Sequence, residues 1–212
     1  MWLKALVELI FPAPIVCQLC QQQIVDEGLP ACKHCLDSLN LSFTQLQLQK
    51  YQGFTLSVYQ GRIKQILNEI KYHNNYRAAV VMGEILGLAA KEQTCLQCID
   101  YLAPVPLHMS RIKQRGFNQT EAFAKGMNRV WRRPVIEVIR QKNTIPQNDL
   151  TAKERVKNMK NAFLICNPEK IKSKHVLIID DIFTTGATFN ALADLISNYQ
   201  ASPIGLFLTQ TK

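Results

Sequence analysis

The sequence contains no long hydrophobic run and no convincing export signal. No stretch approaches the roughly 20 consecutive apolar residues of a membrane-spanning helix, so an integral membrane span is not expected. The apolar residues 2–11 make a poor signal peptide, because they include Glu8, have only Lys4 as a positive charge, and lack a small-residue cleavage site. We interpret them as a short amphipathic helix packed on the protein, with membrane contact as the alternative. We therefore expect a cytoplasmic protein with mostly reduced cysteines.

Acidic residues are fewer than basic residues. The 212 residues include 25 Lys and Arg against 16 Asp and Glu, which gives a formal net charge of +9. This balance favours polyanionic partners, although charge alone does not distinguish nucleic acid from phosphorylated metabolites. With 47% hydrophobic residues, the chain can hold one main globular domain and a small appendage.

Four cysteines near the beginning of the chain have the spacing of a metal site. Cys17 and Cys20 form one C-x-x-C pair, and Cys32 and Cys35 form a second. Two such pairs predict a four-thiolate zinc site, in which each tight turn presents two sulfur atoms to one ion. Disulfides are the competing interpretation, and a reducing compartment disfavours them. Few basic residues lie nearby, which favours a structural role over nucleic-acid binding.

A third C-x-x-C pair and a polar segment complete the organisation of the first half. Cys95 and Cys98 have no partner pair, so incidental cysteines at a junction between a loop and a strand are favoured over a metal or redox role. Residues 45–52 are polar, rich in Gln and typical of a linker. We therefore expect residues 1–48 to form the N-terminal helix and zinc finger, and residues 49–212 to form the main domain.

The most informative segment is a buried strand followed by acids and a small turn. Residues 176–179 are four consecutive apolar residues, as expected of a parallel strand buried on both faces. Asp180 and Asp181 follow at its carboxyl end, where such sheets bind ligands. Adjacent carboxylates repel each other unless a cation or hydroxyl donors satisfy them, and a ribose diol with Mg²⁺ supplies both. The turn at 184–188 lacks bulky side chains and opens a helix, so its amides can hold a phosphate. A strand, turn and helix without any ligand is the alternative.

The intervening chain predicts further elements of an α/β domain. Hydrophobic periodicity predicts helices over 62–72 and 76–91, and apolar runs predict strands over 99–105 and 135–139. Residues 104–119 are expected to form a loop with three cations, Arg111, Lys113 and Arg115, which suits a pyrophosphate or nucleic-acid phosphates. The polar residues 141–160 are expected to form a mobile lid, with a disordered connector as the alternative.

The apolar run, the paired acids and the turn TTGAT together resemble the signature of type I phosphoribosyltransferases, which bind phosphoribosyl pyrophosphate. The resemblance implies an α/β fold with a type I phosphoribosyltransferase-like parallel sheet flanked by helices, after the small four-cysteine zinc finger. It implies that Asp180 and Asp181 hold the ribose hydroxyls and that Mg²⁺ accompanies the ligand. Arg115 and Asn118 are the candidates for binding the pyrophosphate. The implied 5′-phosphate loop consists of Thr184, Thr185, Gly186, Ala187 and Thr188.

Motifs along nearly the whole chain are similar to those of the ComF/GntX family of phosphoribosyltransferase-like proteins. They are the four cysteines, Gly61-Arg62, the helix end Lys71-Tyr72, the sequences PVPL at 104–107 and RGFNQ at 115–119, Thr144 with Gln147, Glu154-Arg155 with Asn158, and the acids with TTGAT. This resemblance implies a cytoplasmic bacterial protein associated with natural competence and with DNA uptake or DNA use. Cys95 and Cys98 are not part of that pattern.

Three functions are compatible with these motifs. An enzyme would displace pyrophosphate from ribose C1′ with Mg²⁺, using Asp180, Asp181 and Arg115 as catalytic residues and an acceptor that the motifs do not identify. A binding module would sense phosphoribosyl pyrophosphate while a basic surface contacts single-stranded DNA. A scaffold would bind proteins of the competence machinery. The candidate nucleic-acid residues are Arg129, Arg132, Arg133 and Lys157.

Overall fold

The structure, a computed structural model, describes residues 16–26, 29–46, 48, 50–141 and 162–211. The expected N-terminal helix at 2–11 lies outside these residues, as do nearly all of the expected lid at 141–160 and the candidate nucleic-acid residue Lys157. Within the described ranges, no helix is both long and apolar enough to cross a membrane.

The described residues form an α/β domain of seven strands and six α-helices. The strands are β1 (Thr44–Leu46), β2 (Gln52–Thr55), β3 (Tyr101–Pro104), β4 (Val138–Arg140), β5 (Phe163–Ile165), β6 (His175–Phe183) and β7 (Ser202–Gln210). The helices are α1 (Lys33–Ser38), α2 (Gly61–Tyr72), α3 (Tyr76–Lys91), α4 (Met109–Arg115), α5 (Gln119–Trp131) and α6 (Ala187–Asn198). Short 3₁₀ turns lie at Thr94–Leu96 and Pro168–Ile171.

The main sheet has five strands in the order β1-β2-β7-β6-β3. Strands β2, β7, β6 and β3 are parallel to one another, whereas β1 pairs with β2 in the antiparallel sense. Strands β4 and β5 form a separate two-stranded antiparallel sheet. The predicted parallel sheet flanked by helices is confirmed.

Strand β6 lies between β7 and β3, and its apolar residues are covered on both faces. Val176, Leu177, Ile178 and Ile179 are all 0% exposed, as the continuous apolar run predicts. Leu177 and Ile179 belong to the core formed with α2, α3 and α5, whereas Val176 and Ile178 belong to the core formed with α6. The strand continues to Phe183, so it includes both acids instead of ending before them.

Helix α2 lies against one face of the sheet through a regular apolar stripe. Ile63, Ile66, Leu67 and Ile70 are buried at the spacing that the periodicity predicts. Its hydrophobic side contributes to a core that also contains Cys17, Cys32 and Cys35. The cysteine-rich segment and the sheet domain therefore share one hydrophobic core.

Three sequence expectations need correction. Residues 45–52, expected as a linker between two domains, instead include the last two residues of β1 and the first residue of β2, so they join two paired strands of the main sheet. Residues 104–119, expected as a loop, contain helix α4, which Gly116 ends with a φ of 78°. The strand expected at 135–139 is β4 at Val138–Arg140, while Val135 makes only an isolated bridge with Leu102. The boundary at residue 48 stays a prediction, although β1, which precedes it, pairs within the main sheet.

Candidate ligand site and cysteine cluster

The four N-terminal cysteines converge on one point. The Sγ atoms of Cys17, Cys20, Cys32 and Cys35 all lie within 4.8 Å of one another, and those of Cys20 and Cys32 are 3.8 Å apart. A tetrahedron with Zn–S bonds of about 2.3 Å has S···S edges of about 3.8 Å. A disulfide would need about 2.05 Å between the sulfur atoms. The residues therefore fit a four-thiolate metal ion.

Backbone hydrogen bonds and burial shift the pKa values of the thiols in this cluster in opposite directions. A hydrogen bond from the Gln22 backbone, partly opposed by burial, lowers the pKa of the Cys20 thiol to about 6. Burial raises the pKa values of the Cys32 and Cys35 thiols, which lie closer to the shared core. A bound cation would favour all four thiolates, because metal ligation requires deprotonated sulfur.

The predicted phosphate loop lies between β6 and α6. Gly186 has a φ of 73°, in the left-handed region that glycine adopts without strain, and it precedes the first residue of α6. Gly186 has no side chain to cap this helix, and the Thr185 hydroxyl accepts a long hydrogen bond of 3.4 Å from the backbone amide of Ala187. A small open pocket lies here, with Asp180 and Phe207 in its lining. The five predicted loop residues all line the same pocket: Thr184, Thr185, Gly186, Ala187 and Thr188.

Asp180 is the acid that faces this pocket. Its carboxylate accepts a hydrogen bond of 2.8 Å from the backbone amide of Asp181. Burial, followed by the neighbouring charge of Asp181, raises the pKa of Asp180 well above its ordinary value. A carboxylate in this environment needs hydroxyl donors or a cation to satisfy it.

Asp181 forms different contacts, because successive residues of a strand point to opposite faces. It is only 8% exposed. Its Oδ2 atom lies 2.7 Å from the ammonium nitrogen of Lys71, which comes from the end of α2. The same oxygen accepts a hydrogen bond of 3.0 Å from the amide nitrogen of Gln119, at the start of α5. The paired acids therefore differ in their partners.

Arg115 extends this network on the side of β3. Its guanidinium donates to the amide oxygen of Gln119, so a continuous chain of contacts joins Lys71, Asp181, Gln119 and Arg115. Arg115 is 5% exposed, and burial lowers its pKa while the charge of Asp181 raises it. Four elements, α2, α4, α5 and β6, thus meet at one polar cluster at the carboxyl end of the sheet.

Asn118 positions the backbone of this cluster. Its side chain donates to the carbonyl of Val105 at 3.2 Å and to the carboxylate of Glu121 at 3.0 Å. Its amide oxygen accepts from the backbone amide of Thr120, so Asn118 caps helix α5. The predicted contact between Asn118 and pyrophosphate stays a prediction, and the capping role was not anticipated.

Lys71 and Gln119 were not among the predicted site residues. Both were present in the motifs that carried the family resemblance, which was the available signal. The neighbouring sequence does not indicate the contacts of either residue, because Lys71 lies at the end of an ordinary amphipathic helix and Gln119 lies in a first helical turn. Their importance comes from contacts with a residue far away in the sequence.

The three basic residues that were proposed for nucleic acid and that the structure describes lie away from this cluster. Arg129 pairs with Glu84 at 2.8 Å, whereas Arg132 is exposed at the end of α5. The guanidinium of Arg133 lies 5.2 Å from the centre of the Trp131 ring. A helix of the 13 residues of α5 is about 20 Å long, and Gln119 is at its other end. Beyond α5, the chain returns to β3 near the amino end of that strand.

The third C-x-x-C pair does not join the metal-like cluster. Cys95 and Cys98 are both exposed, and the Sγ atom of Cys98 lies 3.8 Å from the carbonyl oxygen of Cys95. Among the described residues, the group of metal-ligating side chains that was found contains neither of them. Cys95 lies within a short 3₁₀ turn and Cys98 follows that turn just before β3, which agrees with the predicted junction.

Comparison with known proteins first identifies the class of this fold. The profile of the family described as "Phosphoribosyl transferase domain" matches residues 99–211, just over half of the chain. The matched region includes β3, β6 with its acids, the phosphate loop and β7. It does not include α2 or the four-cysteine cluster.

Curated relatives then identify the group within this class. Competence protein F of Haemophilus influenzae is 29% identical over 193 residues, covering 85% of this chain and 83% of the relative. DNA utilization protein YhgH of Escherichia coli O6:H1 is 30% identical over 156 residues, covering 71% of this chain and 67% of the relative. Competence protein ComFC of Streptococcus pneumoniae is 23% identical over 198 residues, covering 91% of this chain and 86% of the relative. The chain belongs to the ComF family of phosphoribosyltransferase-like proteins.

Proposed function

We propose that the protein binds phosphoribosyl pyrophosphate together with Mg²⁺ and acts in DNA uptake or DNA utilisation in the cytoplasm. The observation that carries the proposal is the single pocket lined by Asp180 and all five residues of the phosphate loop. The names of the relatives, which refer to competence and DNA utilization, support the biological setting. Proteins of the competence machinery are the proposed macromolecular partners.

The parts of the ligand correspond to different parts of this site. The loop and the start of α6 suit the 5′-phosphate, because small side chains allow a close approach to backbone amides and a helix N-terminus attracts anions. Asp180 suits the ribose hydroxyls as an acceptor, with Asp181 beside it. Arg115 suits the pyrophosphate, whose negative charge a planar guanidinium binds through two parallel hydrogen bonds. Mg²⁺, bound mainly through ligand oxygens and water, would neutralise charge on the departing pyrophosphate.

A transfer reaction would use these same contacts. The bond from ribose C1′ to pyrophosphate breaks, a bond from C1′ to a nucleophilic acceptor forms, and the acceptor loses a proton. Arg115 would stabilise the charge that develops on pyrophosphate, while Asp180 would hold the ribose in place. The acceptor stays unidentified, so the alternative is a module that binds the ligand without turnover.

The four-cysteine cluster is proposed to hold a structural zinc ion. Its thiols are packed in the core shared with the sheet domain, which favours a closed four-ligand site over an open catalytic one. Metal analysis of the purified protein should give one zinc per chain. A Cys17→Ser variant should lose the metal and stability together, whereas Cys95→Ser should retain both.

Calorimetric titration with phosphoribosyl pyrophosphate, with and without Mg²⁺, tests the central proposal. We expect binding that Mg²⁺ strengthens, and a loss of at least about tenfold, or about 1.4 kcal/mol, in Asp180→Asn. Thr55→Val, at a buried hydroxyl on β2 outside the phosphate-loop pocket, is the control. Pyrophosphate release in the presence of candidate bases or nucleotides separates the enzyme from the non-catalytic module. Unchanged affinity in Asp180→Asn would refute the proposed site.

A second candidate function is binding of single-stranded DNA by the basic end of α5. The observation that favours it is the exposed position of Arg132 next to Arg133, remote from the phosphate loop. Changing both residues to Ala should weaken binding to an oligonucleotide and flatten its dependence on salt. Changing the exposed Lys64 and Arg77 to Ala removes equal charge elsewhere. Equal losses in both double variants would show only a general charge effect.

A further inference from the structure

The polar cluster at the carboxyl end of the sheet contains more cations than acids. Asp181 lies between the ammonium of Lys71, at 2.7 Å, and Arg115, whose charge acts on it through the Gln119 contact. Arg111, from the same helix as Arg115, is close enough to lower the pKa of Arg115. Three cations therefore lie near two adjacent acids, Asp181 and Asp180, which leaves at least one positive charge in excess.

The contacts of Asp181 allow one of these cations to leave. Lys71 and Gln119 bind the same carboxylate oxygen, so Asp181 keeps a hydrogen bond when the ammonium moves away. Arg115 remains connected through Gln119 and continues to compensate the negative charge. A departing Lys71 would thus not leave a buried, unpaired carboxylate, which is the arrangement that costs most.

Lys71 is also the member of the cluster best suited to move. Its ammonium is carried on a flexible four-carbon chain, whereas Arg115 has a planar head and is 5% exposed. The Lys71 side chain is 16% exposed and lies at the last turn of α2. The neighbouring Tyr72 acts electrostatically on Arg115, so the end of α2 and the end of α4 lie close together.

We infer that Lys71 is a pyrophosphate-binding residue, held by Asp181 in the ligand-free protein and transferred to the pyrophosphate group when phosphoribosyl pyrophosphate binds. This inference rests on the proposed function and adds to it a residue of α2, outside the matched domain. The transfer gives the excess positive charge an anionic partner. It also frees one acceptor position on Asp181, so ligand binding and release of the ion pair are coupled.

Three ligands and three variants test this exchange by calorimetry in Mg²⁺. Phosphoribosyl pyrophosphate and inorganic pyrophosphate contain the group that Lys71 binds, whereas ribose 5-phosphate does not. Lys71→Met retains the length of the side chain without its charge, and Lys71→Arg retains the charge. Lys64→Met removes an exposed cation from the same helix, 5.9 Å from the Tyr59 ring, and is the matched control.

We expect Lys71→Met to lower the affinity for phosphoribosyl pyrophosphate and for pyrophosphate at least about tenfold. The affinity for ribose 5-phosphate should change less than about threefold. Lys71→Arg should restore most of the affinity, and Lys64→Met should resemble the wild type. Equal weakening of all three ligands would reduce Lys71 to a support for Asp181 and overturn the inference. Unchanged binding in Lys71→Met would overturn it as well. If the wild type bound none of the three ligands, the proposed function itself would fall.

Discussion

Replacing Asp181 with Asn should destabilise the protein through the loss of one buried ion pair. The side chains of Lys71 and Asp181 are 16% and 11% exposed, with 2.7 Å between the charged atoms. At that distance an effective dielectric constant of about 20 gives roughly 6 kcal/mol of Coulomb attraction, which desolvation largely offsets. Breaking a fully buried pair costs about 3–5 kcal/mol. Asn can still accept from Gln119, so we expect a loss of about 2–3 kcal/mol, between the values for buried and exposed pairs.

A double-mutant cycle measured by urea unfolding isolates this pair. Lys71→Met and Asp181→Asn, alone and together, should give a coupling free energy of about 2 kcal/mol when zinc is held constant. The matched control is the cycle on Arg129 and Glu84, whose charged atoms are 2.8 Å apart but whose Arg side chain is 56% exposed. That pair should couple by less than about 1 kcal/mol. A coupling for the buried pair no larger than for the exposed one would refute the reasoning.

Three further predictions concern the loop, the helix packing and the pH dependence. Gly186→Ala forces a non-glycine residue to a φ of 73°, so it should lower the free energy of unfolding in urea by about 1–2 kcal/mol. It should also weaken the binding of ribose 5-phosphate, and normal affinity would contradict the proposed role of the loop. Gly83→Ala places a Cβ atom 2.2 Å from the backbone oxygen of Phe123, so the free energy of unfolding, measured by thermal unfolding, should fall by about 1–3 kcal/mol. The loss should be larger than in Gly53→Ala, where the nearest atom belongs to a side chain. Burial raises the pKa of Asp180, so the ligand-free protein should lose stability as pH rises from the ordinary carboxyl range through that raised value. The Asp180→Asn variant should lack this dependence. An identical pH profile in the variant would contradict the prediction.

Local patterns in the sequence were sufficient to locate α2, the core of β6 and the turn that is predicted to bind a phosphate. The helical spacing of the apolar residues in α2 and the unbroken apolar run of β6 reflect how each element packs. Both elements can therefore be predicted without knowledge of the rest of the fold. The turn TTGAT is similarly local, because small residues and Gly186 provide the backbone geometry. These features depend on neighbours within a few residues.

The partners of the acids could not be predicted in the same way. The strand was expected to end at Ile179, which left the orientation of the acids open, but β6 continues to Phe183 and its alternation separates them. Lys71 reaches Asp181 only because α2 lies along the sheet. That contact depends on tertiary packing between segments widely separated in the sequence. Strand β7, also not predicted, completes the sheet beside β6.

Helix α2 connects the cysteine cluster with the proposed ligand site. At its beginning, the guanidinium of Arg62 donates to the carbonyl oxygen of Leu19, within the first C-x-x-C turn, at 2.8 Å. At its end, Lys71 contacts Asp181. Because a packed helix moves largely as one body, a metal-dependent shift of the cysteine turn would reach Asp181 through this element. The matched domain begins at residue 99, so the part of the chain that precedes it supplies both the four-cysteine cluster and a cation of the proposed ligand site.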